Sequence, residues 1–251
     1  MTYAVCVVAV APLRKESSHR SEIISELLVG EFAIILEETK DFTKVKCLYD
    51  GYEGWCQRSQ LEKVNEMIET NYFLLDDIGN IEVNDQSCRI SCATPIFKTD
   101  AYFGRFHFNY KNVSGWNASE AMFSEDNIKL ISYKFLNVPY LWGGKSVFGI
   151  DCSGLTQQVF KLLNIKLERD AYQQAEQGEV VGFLQEAKCG DLAFFDNEDG
   201  KIVHVGVLLD NQTIIHASGK VRIDKIDNAG IINNDTGERT HRLRIIKCYH
   251  P

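Results

Sequence analysis

The chain has 251 residues, 45% of them hydrophobic and 25% charged, with a formal charge of −8. That length holds one large domain or two to three small ones, and the composition is that of an ordinary globular protein. The acidic balance argues against a general nucleic-acid binder, which needs a basic footprint, and against anionic membrane surfaces, and no apolar run is long enough to span a bilayer.

In chain order, Tyr3 to Ala9 predicts a buried strand, rich in Val, that Pro12 soon stops. No basic residue precedes this apolar stretch and no small-residue cleavage site follows it, so it is not expected to be an export signal. Cys6, Cys47, Cys56, Cys88, Cys92, Cys152, Cys189 and Cys248 include no Cys-x-x-Cys pair. The expectation is free thiols in a reducing, cytoplasmic compartment, with no structural zinc and no cofactor. "EFAIILEE", "FTKVKCLY" and "EGWCQ" read as short strands, and the turn "DGYEGW" places Gly51 and Gly54 before Trp55. Short strands packed this densely up to residue 64 predict a small barrel. Residues 65–122 carry a weaker signal of the same kind, in "RISCATPIFKTD" and "RFHFNYKNVSGW".

The texture then changes. Ser124 and Asn127 mark a helix start, with Ile128, Ile131 and Phe135 at helical spacing. A second helix follows Asp151, with Leu155, Val159 and Leu162 on one stripe. "DLAFFDNEDGKIVHVGVLLDNQTIIHASG" reads as a three-stranded meander, turning at Asp199-Gly200 and again after Leu209. Helices first and an antiparallel sheet after them make this part α+β.

Asp151 has the side chain to cap the second helix, which puts Cys152 in its first turn. The helix end lowers a thiol pKa there, the Asp151 charge raises it, and a histidine that becomes imidazolium would settle the contest. His204 alternates away from Val203, Val205 and Val207, and His216 lies in the next strand. A hairpin centred on residue 210 sets the two histidines directly opposite, with Cβ atoms about 4.5–5.5 Å apart, so that one ring can fix the tautomer of the other. Each piece has a bland alternative, a packed cysteine or a satisfied core histidine. Together the bland readings require a capped cysteine, a facing histidine pair and glycines clearing space beside the thiol to coincide. A zinc site on Cys152, His204 and His216 is a further alternative, disfavoured because no second cysteine ligand lies at the usual spacing.

The run "LLVGEFAIILEETKDFTKVKCLYDGYEGWCQRSQL" resembles a bacterial SH3-type domain. "PYLWGGKSVFGIDCSGLTQQVF", "RDAYQQ", "GDLAFF", "HVGVLL" and "IIHASG" resemble, in order and spacing, the NlpC-type cysteine peptidases, papain-like enzymes that cut bacterial cell-wall peptides. The resemblance implies an α+β papain-like catalytic domain over 123–251, preceded by an all-β SH3-like small barrel over 1–64. Residues 65–122 are then a degenerate second SH3-like domain or a linker. It also implies Cys152 as nucleophile, His204 as general base and acid, and His216 as the orienting residue. Glu168 departs from the "LPRD" common in the family. SH3-like domains before such a peptidase resemble a narrower group, the γ-D-glutamyl-L-diamino acid endopeptidases of murein-peptide recycling. That implies a murein stem-peptide substrate with a free N-terminal L-Ala, cut between γ-D-Glu and the L-diamino acid, with acidic residues clamping the amine. By position, Tyr140, Asp151, Ser153 and Asp170 are the peptidase-side contacts, and Glu31 and Tyr52 the SH3-side ones. The plainer readings are a solvated Asp170 paired with Arg169, a Tyr52 covering Trp55, and a Glu31 at the surface. Competing functions are a papain-like amidase or acyltransferase and a non-catalytic wall-binding protein. The latter predicts a lost catalytic side chain, and none is lost.

Overall fold

Alternation along the first strand decides how the N-terminal half is built. In the computed structural model, which describes residues 2–97 and 100–249, β1 (Tyr3–Cys6) is buried on both faces. Ala4 and Cys6 face one core with Leu13, Leu27, Val45 and Cys56, while Val5 and Val7 face another with Val29 and Phe32. β1 joins β2 (Val10–Arg14), β3 (Ile23–Leu28), β4 (Phe32–Glu38), β5 (Phe42–Cys47), β6 (Glu53–Gln57) and β7 (Leu61–Val64) in an antiparallel sheet of order β3-β2-β6-β5-β4-β1-β7. Pro12 does not stop the strand pattern but sits inside β2, opposite Glu26. Its missing N–H is tolerated because β2 pairs with β6 only at Arg14↔Trp55, so the strand is close to an edge there.

The second core continues into residues 72–117, through Leu74, Ile81, Ile90, Phe103 and Phe108. These come from β8 (Tyr72–Leu74), β9 (Ile78–Val83), β10 (Gln86–Ser91), β11 (Asp100–Phe103), β12 (Phe106–Asn109) and β13 (Gly115–Asn117). They form a four-stranded sheet of order β10-β9-β12-β11 and a β8–β13 pair. β9 and β10 turn through Asn84 and Asp85, at φ 49° and 61°, the left-handed pair that a two-residue hairpin needs. All of this belongs to one compact unit, residues 1–119, which also takes in residues 141–149. Within that unit Lys145 N donates to Glu26 Oε2 at 2.7 Å and Val147 N to Ser91 Oγ at 2.9 Å. This segment holds β14 (Lys145–Ser146) and the start of β15 (Gly149–Ile150). Gly143, at φ +80°, lies so close to β3 that a Cβ there would stand 2.6 Å from the Ile23 carbonyl oxygen. The expectation that the glycines before Cys152 clear space beside the thiol is therefore corrected for Gly143, whose lack of a side chain serves packing on β3.

The second unit holds residues 120–140 and 150–251. Ser124 caps α1 (Glu125–Tyr133) as expected, its Oγ accepting from Asn127 N, and Ile128 and Ile131 are buried beneath it. α2 (Cys152–Lys161) and the short α3 (Ala171–Gln174) come before β16 (Glu179–Val181). β17 (Leu192–Asp196), β18 (Ile202–Leu208), β19 (Thr213–Ser218), β20 (Lys220–Asp227), β21 (Gly230–Ile232) and β22 (Arg239–Cys248) then run in sequence order. β22 pairs with both β21 and β17, so these six strands close on themselves and β16 adds to the outside of β22. Closure leaves the strands bearing both histidines without a free edge. α2 packs against β18 and β19, and all ten of its residues are buried. Helices followed by antiparallel strands give the α+β class expected.

Candidate active site

Cys152 is the first residue of α2, and Asp151 caps that helix, its Oδ1 accepting from Gly154 N at 2.7 Å. Arg169 then holds the cap. It is 1% exposed and places Nη1 3.0 Å from Asp151 Oδ1 and Nη2 2.6 Å from Oδ2, while Nη1 also reaches Ser153 Oγ at 2.9 Å. A guanidinium forked on the cap carboxylate fixes the geometry of the first turn, and with it the thiol. Arg169 therefore turns inward to Asp151.

The contest between the helix end and the Asp151 charge at Cys152 goes against the helix end. Burial, reinforced by the neighbouring Asp151 charge, pushes the thiol up to about 12. Backbone N–H groups of Val205 and Ser153, with the Arg169 charge, pull the other way and lose. The helix end is a partial charge, whereas desolvation acts on the whole thiolate.

The histidines meet, though not as drawn from the numbers. The β18–β19 register pairs Gly206 with His216, so the hairpin is centred on residue 211 and His204 lies one diagonal step from His216. Asp210 accounts for the shift, its Oδ1 accepting from both Gln212 N and Thr213 N in the turn. Long side chains reach across that diagonal, and His204 Nε2 stands 2.9 Å from His216 Nδ1. Gly206 is the residue that makes room, since a Cβ there would lie 2.8 Å from the Cβ of His216.

Past His216 the chain of contacts continues to two residues that the sequence reading missed. His216 Nε2 is 3.0 Å from Asp224 Oδ2, and Arg222 forks onto the same carboxylate at 2.7 and 2.9 Å. Burial alone would raise the Asp224 pKa, but hydrogen bonds from His216 and Arg222 prevail and hold it well below the usual carboxylate range. An ionised Asp224 accepts the His216 Nε2 proton, which leaves Nδ1 of His216 as an acceptor. His204 must then donate from Nε2, and its Nδ1 keeps the lone pair. Burial and the other two imidazoles hold His204 well below its ordinary pKa, so the ring rests neutral. The signal for Asp224 was present: a turn at Gly219 pairs His216 with Arg222, and Asp224 shares the face of Arg222. His241, on β22, was also missed. It stacks on His204 with ring centroids 4.1 Å apart, a neighbour that only barrel closure supplies.

The remaining expected residues divide between the units. In the second, the Tyr140 hydroxyl is pushed up to about 12 by burial and by the charges of Cys152 and Asp151. Asp170 caps α3, with Gln173 Oε1 accepting from its N–H at 3.2 Å. In the first unit, Glu31 is 7% exposed, so it is no surface charge, and its Oε2 accepts from Leu28 N at 2.9 Å within its own turn. Tyr52 is half-buried after the turn, and its N–H donates to Asp50 Oδ1 at 3.0 Å.

The sequence profile of the NlpC/P60 family matches residues 137–240, and that of a bacterial dipeptidyl-peptidase SH3 domain matches residues 13–61. A γ-D-glutamyl-L-lysine dipeptidyl-peptidase of Bacillus subtilis is 31% identical over 78% of this chain and 72% of its own. A protein of the same name from Bacillus cereus is 25% identical over 89% of this chain and 77% of its own. The crystal structure of an NlpC/P60 family protein from Bacillus cereus superposes over 99% of this chain and 100% of its own, with a TM-score of 0.80 at 19% identity, which shows a shared fold. With the capped cysteine and its imidazoles set on such a fold, the chain belongs to the NlpC/P60 family of cysteine peptidases.

Proposed function

We propose that this protein hydrolyses murein stem peptides with a free N-terminal L-Ala, cutting between γ-D-Glu and the following L-diamino acid. The observation that carries the reading is the relay His204, His216 and Asp224, whose tautomers leave a lone pair on His204 Nδ1, together with a capped Cys152 whose sulfur accepts from the N–H of Val205, the residue after His204. The naming of the relatives for γ-D-glutamyl-L-lysine supports the choice of bond.

In this reading the thiol proton passes to His204 Nδ1 as sulfur attacks the γ-carbonyl carbon of D-Glu. The two charges arise together, so each offsets the cost of burying the other. The Cys152 N–H, in the first turn of α2, has no intrahelical acceptor and is available to the oxyanion. The C–N bond then breaks, and the diamino acid leaves with the proton from Nδ1. A water molecule gives Nδ1 a proton, attacks the thioester, and releases the dipeptide and the restored thiol. His216 and Asp224 hold the base in the working tautomer. Asp170, Glu31, Tyr52 and Tyr140 are the proposed contacts for the amine end and the peptide, in a cytoplasmic recycling role.

The test is mass spectrometry of products from L-Ala-γ-D-Glu-meso-diaminopimelate and its L-Lys counterpart. Release of L-Ala-γ-D-Glu is expected from both, with the N-acetylated peptides cut at least ten-fold more slowly. Equal kcat/KM for free and acetylated peptides would remove the amine requirement, and cleavage at another bond would remove the proposed specificity.

A further inference from the structure

A third imidazole stands against the pair that the proposed reaction uses. One ring nitrogen from each of His204, His216 and His241 lies within 4.8 Å of the other two. His216 turns edge-on to both other rings, at 85° to His204 and 81° to His241. The outward nitrogens are anchored: His216 Nε2 on Asp224 at 3.0 Å, and His241 Nδ1 on the Thr240 hydroxyl at 2.8 Å. A carboxylate behind an imidazole is the arrangement that orients a metal-ligating histidine and raises its donor strength. His241 joins the pair from β22, the strand that closes the barrel.

We propose that His204, His216 and His241 form a binding site for a borderline transition-metal dication such as Zn²⁺, and that filling it switches the peptidase off. Three imidazoles suit Zn²⁺, Co²⁺ or Ni²⁺ and not Mg²⁺ or Ca²⁺, which take oxygen ligands. Zn–N bonds of about 2.0–2.1 Å in a tetrahedral site set the nitrogens about 3.3–3.4 Å apart. The His204–His216 contact of 2.9 Å needs to open only slightly to admit the ion. His241 must leave its stack on His204, because stacked rings hold their lone pairs side by side rather than converging. It is only partly buried and can tilt toward the edge-on attitude it already holds to His216.

The switch follows from proton bookkeeping at His204. The metal takes the Nε2 lone pair, and the proton formerly on Nε2 moves through solvent to Nδ1. The ring stays neutral and no proton is gained or lost, but Nδ1 now carries a hydrogen where it had a lone pair. The thiol then has no base. This consequence rests on the proposed role of His204, whereas metal binding itself does not.

The two parts are tested separately. Zn²⁺ is titrated by calorimetry into chelator-treated Cys152→Ala protein, which cannot bind metal through the thiol. One equivalent should bind with micromolar or tighter affinity, Mg²⁺ should not bind, and adding His241→Ala or His241→Phe should weaken Zn²⁺ at least about ten-fold. The Phe variant keeps a stacked ring, so a folding defect is told apart from a lost ligand. In the otherwise wild-type enzyme, Zn²⁺ should inhibit peptide cleavage, a chelator should restore it, and His241→Phe should raise the inhibiting concentration at least ten-fold. Failure of one equivalent to bind Cys152→Ala, or equal Zn²⁺ affinity with and without His241, overturns the site. Stoichiometric binding without inhibition overturns the switch.

Discussion

Two regions of the molecule bury thiols, and they use them differently. In the first unit, Cys6 and Cys56 are fully buried in the core beneath β1 and β6. Their sulfurs donate to oxygens, Cys6 to Val8 O and Leu27 O and Cys56 to Gln57 O and Gln60 Oε1. In the second, Cys152 is also buried, but an N–H of Val205 points at its sulfur and the residue before Val205 is His204. Burial pushes Cys56 and Cys152 alike up to about 12. A thiol pKa therefore does not identify the nucleophile in this chain. The neighbour able to take the proton does.

The strongest way to break that comparison is to remove each thiol. Cys152→Ala should lower kcat/KM for the tripeptide by about 10⁴-fold or more, with the circular dichroism spectrum unchanged. Cys47→Ala should leave kcat/KM within about three-fold of wild type, since that thiol lies in the barrel core and serves packing. Near-normal turnover by Cys152→Ala would end the thiol mechanism.

The next effect is read along the imidazoles. Asp224→Asn keeps the shape but replaces an acceptor with an amide that can donate to His216 Nε2. That would reverse both tautomers and put a hydrogen on His204 Nδ1. A fall in kcat of about 10²-fold with little change in KM is expected. His204→Ala should be near-dead, whereas His216→Asn should keep measurable activity and His216→Ala should lose more. An unchanged kcat for Asp224→Asn would show that His216 sets its own tautomer.

How much of this is legible in the sequence depends on the range of the contacts. The cap at Asp151, the helix start at Ser124 and strand β6 were readable because each is fixed by a few adjacent residues. The histidine pairing was readable to within one residue, because the Asp210 turn set the centre of the hairpin. Arg169, eighteen residues from its partner Asp151, entered the sequence reading only as a partner for Asp170, and the fold turns it inward. His241 reaches His204 only because β22 closes the barrel. Closure is a property of all six strands, and no local pattern announces it.

A smaller effect separates the two units by pH. Burial holds His204 well below its ordinary value. Below about pH 6.5 the unfolded ring takes a proton that the folded ring refuses, so stability falls as pH drops, by up to about 1.4 kcal/mol per pH unit. His241, held down to about 4 chiefly by burial, adds in the same direction. The raised thiols act oppositely: their contribution is full below about pH 8.5 and is lost as pH rises past it, because the unfolded thiols ionise first. Trp55, Trp116 and Trp142 all lie in the first unit, and α1 and α2 lie in the second. In urea melts between pH 7 and pH 5, helical circular dichroism should therefore lose stability ahead of tryptophan fluorescence. Identical shifts by both probes would mean that the units unfold together.

The smallest effect on activity is expected at Cys56, where the first region's use of a thiol is tested directly. Cys56 lies opposite Thr43 in the β5–β6 ladder, and its sulfur makes only long contacts, 3.7 Å to Gln57 O and 3.8 Å to Gln60 Oε1. A serine hydroxyl is shorter and more strongly hydrated than a thiol. It would leave both oxygens out of good hydrogen-bonding reach while carrying a polar group into an apolar core. The cost in stability should be about 1–3 kcal/mol, read from the midpoint of a denaturant melt followed by tryptophan fluorescence. Cys56→Ala avoids the polar group and leaves only a small void, so it should cost less than Cys56→Ser. Neither change touches Cys152 or its imidazoles, so kcat/KM at 25 °C should stay within about two-fold. A loss of activity at Cys56 approaching that of Cys152→Ala, in protein still folded, would mean that a buried thiol without a neighbouring base takes part in the chemistry, and the distinction between the two regions would fail.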